Sequence, residues 1–249
     1  MFDLSPPSAL TFYAFVLLTA LVFASWLAAI HVAASATYVG TRASRARATG
    51  FTLCFVWLIG HALVASSGIL AEDTMPPRVV FYFAGINLVV LAITLTRPGR
   101  ALAMHTPLHW LVGVNAFRLP LELLLHQMYA EGTLPVQMTY EGANLDIITG
   151  ILAIPAGLAI WHLGQEHRAS RRIAWVFTGV GAALLVNVIT IALLSAPGPL
   201  RTYPNEPAVT LVFHTPYTWI VTVMVTTAMV THILTARHLL LTRQRGAAG

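Results

Sequence analysis

The chain has 249 residues, of which 57% are hydrophobic and 9% are charged. Soluble globular domains carry about 25% charged residues, so this composition excludes an ordinary water-soluble enzyme. The mean hydropathy is +0.75, and several apolar runs of roughly 20 residues are long enough to cross a hydrocarbon layer of about 30 Å. We therefore predict an all-α polytopic membrane protein.

The charged residues narrow the functional class further. The formal net charge is +5, and all fourteen cationic residues are arginines. Retinal is held by a lysine Schiff base and a P-loop uses a lysine for its phosphates, so both are excluded. The single cysteine, Cys54, excludes an internal disulfide and a multi-cysteine metal cluster. Because the arginines lie in several short segments, we expect them at a membrane surface rather than on nucleic acid.

Apolar runs bounded by proline, glycine and charged residues predict seven membrane-spanning helices in a single domain, residues 1–249. The predicted spans are 9–30, 50–71, 78–96, 107–130, 145–163, 173–195 and 216–240. The first run has no basic leader and is longer than the apolar part of a signal peptide. We expect it to remain as a helix.

The arginines predict the orientation of the spans. Eleven follow spans 1, 3, 5 and 7 and therefore share one side, whereas only Arg78 and Arg201 lie on the other. The positive-inside rule then places the N-terminus outside and the C-terminus in the cytoplasm, in a bacterial inner membrane. The eleven are Arg42, Arg45, Arg47, Arg97, Arg100, Arg168, Arg171, Arg172, Arg237, Arg243 and Arg245.

Span 4 carries a polar stripe in the middle of an apolar helix. At 100° per residue, Asn115, Arg118, Glu122 and His126 fall within an arc of about 80°. A charge at the bilayer centre costs at least about 2.5–3.5 kcal/mol, so this stripe is expected to face the bundle interior. The i,i+4 spacing predicts an Arg118–Glu122 pair, either as a structural ion pair or as part of a binding or catalytic site. Pro120, on the opposite side of the helix, is expected to release a backbone carbonyl and to kink the span.

Acidic and amide residues follow in the segment before span 5. Asn144 and Asp146 are placed to cap that span. Asp146 is also expected to lie a turn into the span. Gly142 and Gly150 permit close backbone approach, so Glu141 and Asp146 are candidates to join Glu122 in an outward-facing acidic vestibule.

Residues 197–207, between spans 6 and 7, form a loop with four prolines. Such a loop is stiff rather than a flexible linker. Two interpretations stay open: a lid over the vestibule, in which Arg201 offsets one acid near Asn205 and Glu206, or a plain connection.

Two of the ten histidines are predicted to lie deep in the membrane. His61 in span 2 and His232 in span 7 are at about 16 and 13 Å from the cytoplasmic boundary at ~1.5 Å per residue. They are weak candidates for axial haem ligands, and the alternative is a role as hydrogen-bonded interior residues. Glu122, His126, Glu141 and Asp146 lack a close-spaced ligand motif, so no metal site is predicted.

Three motifs resemble a group of bacterial multispanning membrane proteins of unknown activity. They are Phe117-Arg118 with Glu122; Met138-Thr139, Glu141-Gly142 and Asn144-Leu145-Asp146-Ile147; and Leu194-Ser195 with Pro199, Arg201 and Asn205-Glu206-Pro207. The resemblance covers roughly residues 115–240 and implies one folded unit without implying a reaction.

We therefore expect a protein that binds or translocates a small polar or anionic-headed molecule through an outward-facing polar cavity. The candidate substrate-binding residues are Arg118, Glu122, Glu141, Asn144, Asp146, Arg201 and Glu206. Arg118 would contact the anion, and Glu122 or Asp146 would be its proton-sensitive neighbour. The alternatives are a membrane-embedded enzyme with Glu122 as general base and Arg118 stabilising negative charge, and a haem or metal redox protein.

Overall fold

The computed structural model describes residues 6–72, 74 and 78–247, and the side chains of these residues up to 243. Arg245, one of the arginines used for the predicted orientation, has its side chain outside this description. The described elements are helices and turns. The α-helices are α1 (Ala9–Thr37), α2 (Thr41–Ser66), α3 (Arg78–Leu95), α4 (Arg97–His105), α5 (Leu108–Gly113), α6 (Arg118–Ala130), α7 (Ile147–Leu163), α8 (Arg168–Ser195) and α9 (Thr226–Ala247).

The prediction of an all-helical protein is confirmed for the described residues. Six stretches are long and apolar enough to cross a membrane, namely α1, α2, α3, residues 108–130, α8 and residues 220–243. The remaining predicted span, span 5, contains α7, which is apolar but has 17 residues. The exact number of crossings and their orientation stay predictions.

Several helices extend beyond their apolar part. The prediction ends span 1 at residue 30, but α1 continues to Thr37. It begins spans 2 and 6 at residues 50 and 173, but α2 begins at Thr41 and α8 at Arg168. Arginine is a good helix former, so hydropathy marks where the apolar part ends and not where the helix ends.

The connection between α3 and residues 108–130 contains a helix that the spans did not predict. In α4, the Thr96 side chain accepts a hydrogen bond from the Gly99 amide, and Pro98 lies in the first turn. Both are typical of a helix start. Arg237 from α9 donates to the carbonyl of Thr94 at this junction. These groups lie at one end of the bundle. We call this end, which carries residues 96–107 and 164–167, the C-terminal face.

Span 4 is interrupted just before Pro120. A 3₁₀ turn, Val114–Phe117, separates α5 from α6, and Pro120 is the third residue of α6. Proline has no amide hydrogen to donate to the carbonyl four residues earlier, Ala116, which lies in this turn. The interruption places Arg118 at the first position of α6.

Residues 131–146 form a buried, largely irregular segment between α6 and α7. Its only regular element is the 3₁₀ turn Val136–Met138, and Leu134, Met138 and Asn144 are buried. Irregular backbone is tolerated at membrane depth where protein surrounds it. The segment thus occupies part of the depth that a longer α7 would span. It lies at the end of the bundle that also carries residues 196–219, and we call this end the N-terminal face.

The last span begins with a wide turn. A π-helix, Ile220–Val225, precedes α9. The Thr222 carbonyl within it accepts a hydrogen bond from the Trp57 indole at 2.8 Å. Threonines continue along the buried side of α9, and most of them donate to backbone carbonyls of their own helix.

Candidate functional site

Arg118 is the centre of a buried polar cluster. Its side chain is 1% exposed, and its Nε lies 2.8 Å from Oδ2 of Asp146. Nη1 donates to the Gly181 carbonyl and to Nε2 of His232, both at 3.4 Å. Nη2 is buried and has no hydrogen-bond partner among the described residues. The guanidinium is therefore held in place and keeps a free donor.

Asn144 connects the carboxylate of Glu122 to the backbone of Asp146. Its Nδ2 lies 2.9 Å from each oxygen of Glu122 and 3.0 Å from the Met138 carbonyl. Its Oδ1 accepts from the Asp146 amide at 3.0 Å. One side chain thus fixes Glu122, the irregular segment and the start of α7 relative to one another.

The ion pair differs from the one that helical spacing predicts. Arg118 pairs with Asp146 on the neighbouring element, and within the described part of the chain Glu122 forms no ion pair. Asp146 directly precedes the first residue of α7, so the prediction that it lies one turn inside the span is wrong. Asp146 does occupy the N-cap position of α7, as predicted, but its side chain makes no cap hydrogen bond, and Asn144 lies two residues before it.

Two glycines allow the elements of this cluster to meet. A Cβ on Gly150 would overlap the backbone nitrogen of Leu119, so α7 and α6 touch there through their backbones. A Cβ on Gly181 would overlap the imidazole of His232. The expectation that Gly150 permits close backbone approach is confirmed, and this approach brings Asp146 next to Arg118.

A cavity of about 250 Å³ lies beside the cluster. It is bounded by α3, α6, α8, the π-helix and the two irregular segments at the N-terminal face. Its polar lining residues are Asn87, Arg118, Glu122 and Asp146, and the remaining lining side chains are apolar. The predicted cavity was polar and the observed wall is mainly apolar, because the polar groups are confined to one side of it.

Three of the predicted site residues lie elsewhere. Glu141 is half exposed and lies 3.7 Å from His126, which stacks on Tyr140 with ring centroids 4.8 Å apart. Arg201 and Glu206 form an ion pair of 2.7 Å within their own loop. The hydrogen bond from Arg201 and its positive charge lower the pKa of Glu206. None of the three lines the cavity.

The loop of residues 197–207 is nevertheless anchored. Asn205 donates to Oε1 of Gln137 at 2.9 Å, and Gln137 donates to the hydroxyl of Ser195 at 3.1 Å. The loop is therefore joined to the irregular segment, although Arg201 does not reach the buried acids.

His61 and His232 belong to different local clusters. His61 bonds through Nδ1 to the Tyr82 hydroxyl and packs against Trp57. His232 contacts Arg118 and packs against Phe177. Within the described residues, no three His, Cys, Asp or Glu side chains are arranged to hold a metal ion. Both histidines have the interior contacts named as the alternative to haem ligation.

Sequence reasoning missed the roles of His232, Gly181 and Asn87 in this site. His232 and Gly181 contact Arg118 from α9 and α8, and Asn87 lines the cavity from α3. No spacing rule connects three separate spans. The available signal was the scarcity of polar residues inside the spans, which makes each of them a candidate partner of Arg118.

Residues 76–240 match a family model described as a domain of unknown function, DUF8737. The chain belongs to this family. The matched region contains every residue of the buried cluster, whereas α1 and α2 precede it. No curated protein and no solved structure matches the chain.

Proposed function

We propose that this DUF8737 protein binds a small molecule with a polar or anionic head and a short apolar body. The head contacts Arg118, and the body occupies the cavity beside it. The observation that carries the proposal is the free Nη2 donor of a guanidinium that lines an apolar cavity. Buried donors without partners cost about 1–3 kcal/mol, so an oxygen-bearing ligand that accepts this hydrogen bond is stabilised.

The cavity volume favours a small ligand. At about 250 Å³, it lies just below the roughly 300–1,000 Å³ of pockets for drug-sized molecules. Its mostly apolar wall favours a hydrocarbon body, since burying apolar area contributes about 25 cal/mol per Å². A medium-chain carboxylic acid combines these properties.

The charges of the cluster predict that binding of an anion depends on protons. Arg118 and Asp146 offset each other, and Glu122 adds a second carboxylate beside the cavity. An incoming carboxylate is repelled by an ionised Glu122 and is accepted when Glu122 carries a proton. We therefore expect binding of the anion to be accompanied by uptake of a proton.

Calorimetric titration of octanoate into the protein in lipid nanodiscs tests the proposal. We expect Arg118→Met to abolish detectable heat of binding, while Arg172→Met, which removes an exposed arginine of α8, keeps the wild-type affinity. Melting curves establish that both variants are folded. Equal affinity of wild type and a folded Arg118→Met variant would contradict the proposal.

Glu122→Gln is expected to raise the affinity for octanoate, whereas Arg118→Met is expected to abolish binding. Where the wild-type carboxylate is ionised, removing this like charge is expected to tighten octanoate binding by at least about tenfold, because two charges about 6 Å apart interact by a few kcal/mol at an effective dielectric constant near 20. The affinities are therefore compared at pH 9. Octanol, which has the same chain and no charge, serves as the control ligand. A wild-type affinity for octanoate in this variant would exclude the proposed proton dependence.

We propose a bacterial inner membrane as the location, with the N-terminal face outside. The arginine distribution supports this orientation. Proton-dependent uptake of labelled octanoate into proteoliposomes, in excess of its uptake into protein-free liposomes, would extend the proposed function from binding to translocation.

A further inference from the structure

We infer that the cavity is filled from within the bilayer, through a gap between α3 and α8, and that its ligand is an amphiphile dissolved in the membrane. The inference rests on the proposed function and adds the source and route of the ligand. Three features support it: where the cavity reaches the protein surface, what closes its other end, and the polarity along the route.

The cavity reaches the lateral surface of the bundle. Among its lining residues, Ala84 of α3 is exposed, and Ile189 and Leu193 of α8 are 38% and 37% exposed. All three are apolar and lie within membrane-spanning helices. The surface on which the cavity opens is therefore one that faces acyl chains.

The end of the cavity at the N-terminal face is covered. Leu134 and Met138 of the irregular segment and Val209 line the cavity there, and they are buried. The cover is held by the Asn205–Gln137–Ser195 hydrogen bonds and by the Val209 amide, which donates to the Ser195 carbonyl at 3.0 Å. A ligand that arrives from water at this face meets packed side chains rather than an opening.

One polar group lies on the route from the gap to Arg118. Asn87 of α3 lines the cavity, and its buried Oδ1 has no hydrogen-bond partner among the described residues. This oxygen accepts a hydrogen bond from the hydroxyl of a protonated acid and offers nothing to a carboxylate. Crossing the apolar gap also costs far less for a neutral acid than for its anion. The route thus favours a membrane-partitioned carboxylic acid, which gives its proton to the carboxylate of Glu122 and remains beside Arg118 as the anion.

The test uses a dodecanoic acid with a photoreactive diazirine in its chain, added to the lipids of nanodiscs that contain the full protein. We expect octanoate-competed labelling of Leu185, a buried lining residue that lipids outside the bundle do not touch. Ala84→Trp, which narrows the gap, is expected to reduce this labelling at least tenfold. The matched control, Ala183→Trp, changes an exposed alanine of α8 that does not line the cavity and is expected to leave labelling unchanged.

The outcomes separate the two proposals. If the wild type binds octanoate by calorimetry but Leu185 is not labelled, or if Ala84→Trp is labelled like the wild type, lateral entry is overturned and the binding site stands. If the wild type binds no octanoate, both are overturned. Should Ala84→Trp fail to fold, Ile189→Trp narrows the same gap from α8 and is read in the same way.

Discussion

At the scale of single residues, the structure confirms the burial of Arg118 and changes its partner. A cation in the middle of an apolar helix must avoid lipid, so its burial was predictable from one helix. Its partner was not, because the i,i+4 rule compares residues of the same helix. Asp146 reaches Arg118 through the fold of residues 131–146, and no sequence pattern describes that fold.

At the N-terminal face, hydrogen bonds stabilise the ionised form of the Glu131 carboxylate. Its carboxylate accepts hydrogen bonds from the Ser8 amide and hydroxyl at 2.8 and 2.7 Å, from Thr11 at 2.7 Å and from Gln127 at 3.0 Å. Desolvation opposes its ionisation, but these hydrogen bonds outweigh desolvation and lower the pKa of Glu131 from 4.5 to about 2. The carboxylate thus joins the start of α1 to the end of α6.

This pKa predicts how stability depends on pH. Because the folded-state pKa is below the unfolded one, the contribution is fully present above about pH 4.5 and is lost as the pH falls towards 2. We expect Glu131→Gln to cost about 1 kcal/mol at pH 7, since the group is near water. Melting temperatures of the wild type and the variant should converge between pH 4.5 and 2. Parallel curves would contradict this role, and Glu166→Gln, an exposed acid at the other face, is the control.

At the scale of elements, apolar runs located the helices and small residues explain how those helices meet. Each of the seven predicted spans contains a helix, because apolar runs of that length have few alternatives in a bilayer. The helix α4, the buried segment 131–146 and the π-helix were not predicted. Their geometry depends on caps and packing partners that lie outside the apolar pattern.

The contact of α6 with α7 depends on Gly150. We expect Gly150→Ala to destabilise the protein by about 1–3 kcal/mol, as is typical of overpacking, because its Cβ has no space beside the Leu119 backbone. Gly179→Ala is the matched control, since a Cβ on Gly179 of α8 has no heavy atom within 4 Å. The melting temperatures of the two variants, recorded in the same detergent as that of the wild type, measure how much each substitution destabilises the protein. A Gly150→Ala variant as stable as Gly179→Ala would show that the two helices can separate without cost.

At the scale of the whole molecule, the arginines have two roles. Some fix the C-terminal face: Arg171 donates to the Thr242 hydroxyl and the Leu239 carbonyl, and Arg237 contacts the end of α3. Their charge also predicts the orientation in the membrane. Composition predicted the membrane class and the helical content, whereas the cavity required the assembled bundle, since its wall combines residues from five separate parts of the chain.

Cysteine labelling tests the orientation. In a Cys54→Ser background, we expect a membrane-impermeant maleimide to label Glu206→Cys on intact cells, because residues 196–219 are predicted to lie outside. Glu166→Cys, an exposed acid of the opposite face, is expected to react only after the membrane is opened. The reverse pattern would overturn the predicted orientation and leave the fold unaffected.

The wide turn at Ile220–Val225 also sets the alignment of the two ends of the last span. A π-turn accommodates one more residue than an α-turn. Deleting one residue there would therefore restore regular winding without rotating the helix beyond it, whereas deleting one from the regular turn that follows, residues 226–230, would rotate everything beyond it by about 100°. His232 would then turn away from Arg118, and Thr231 away from Asn115, whose amide oxygen it now contacts at 3.2 Å. The wide turn therefore accommodates the loss of one residue, whereas the regular turn between it and His232 does not.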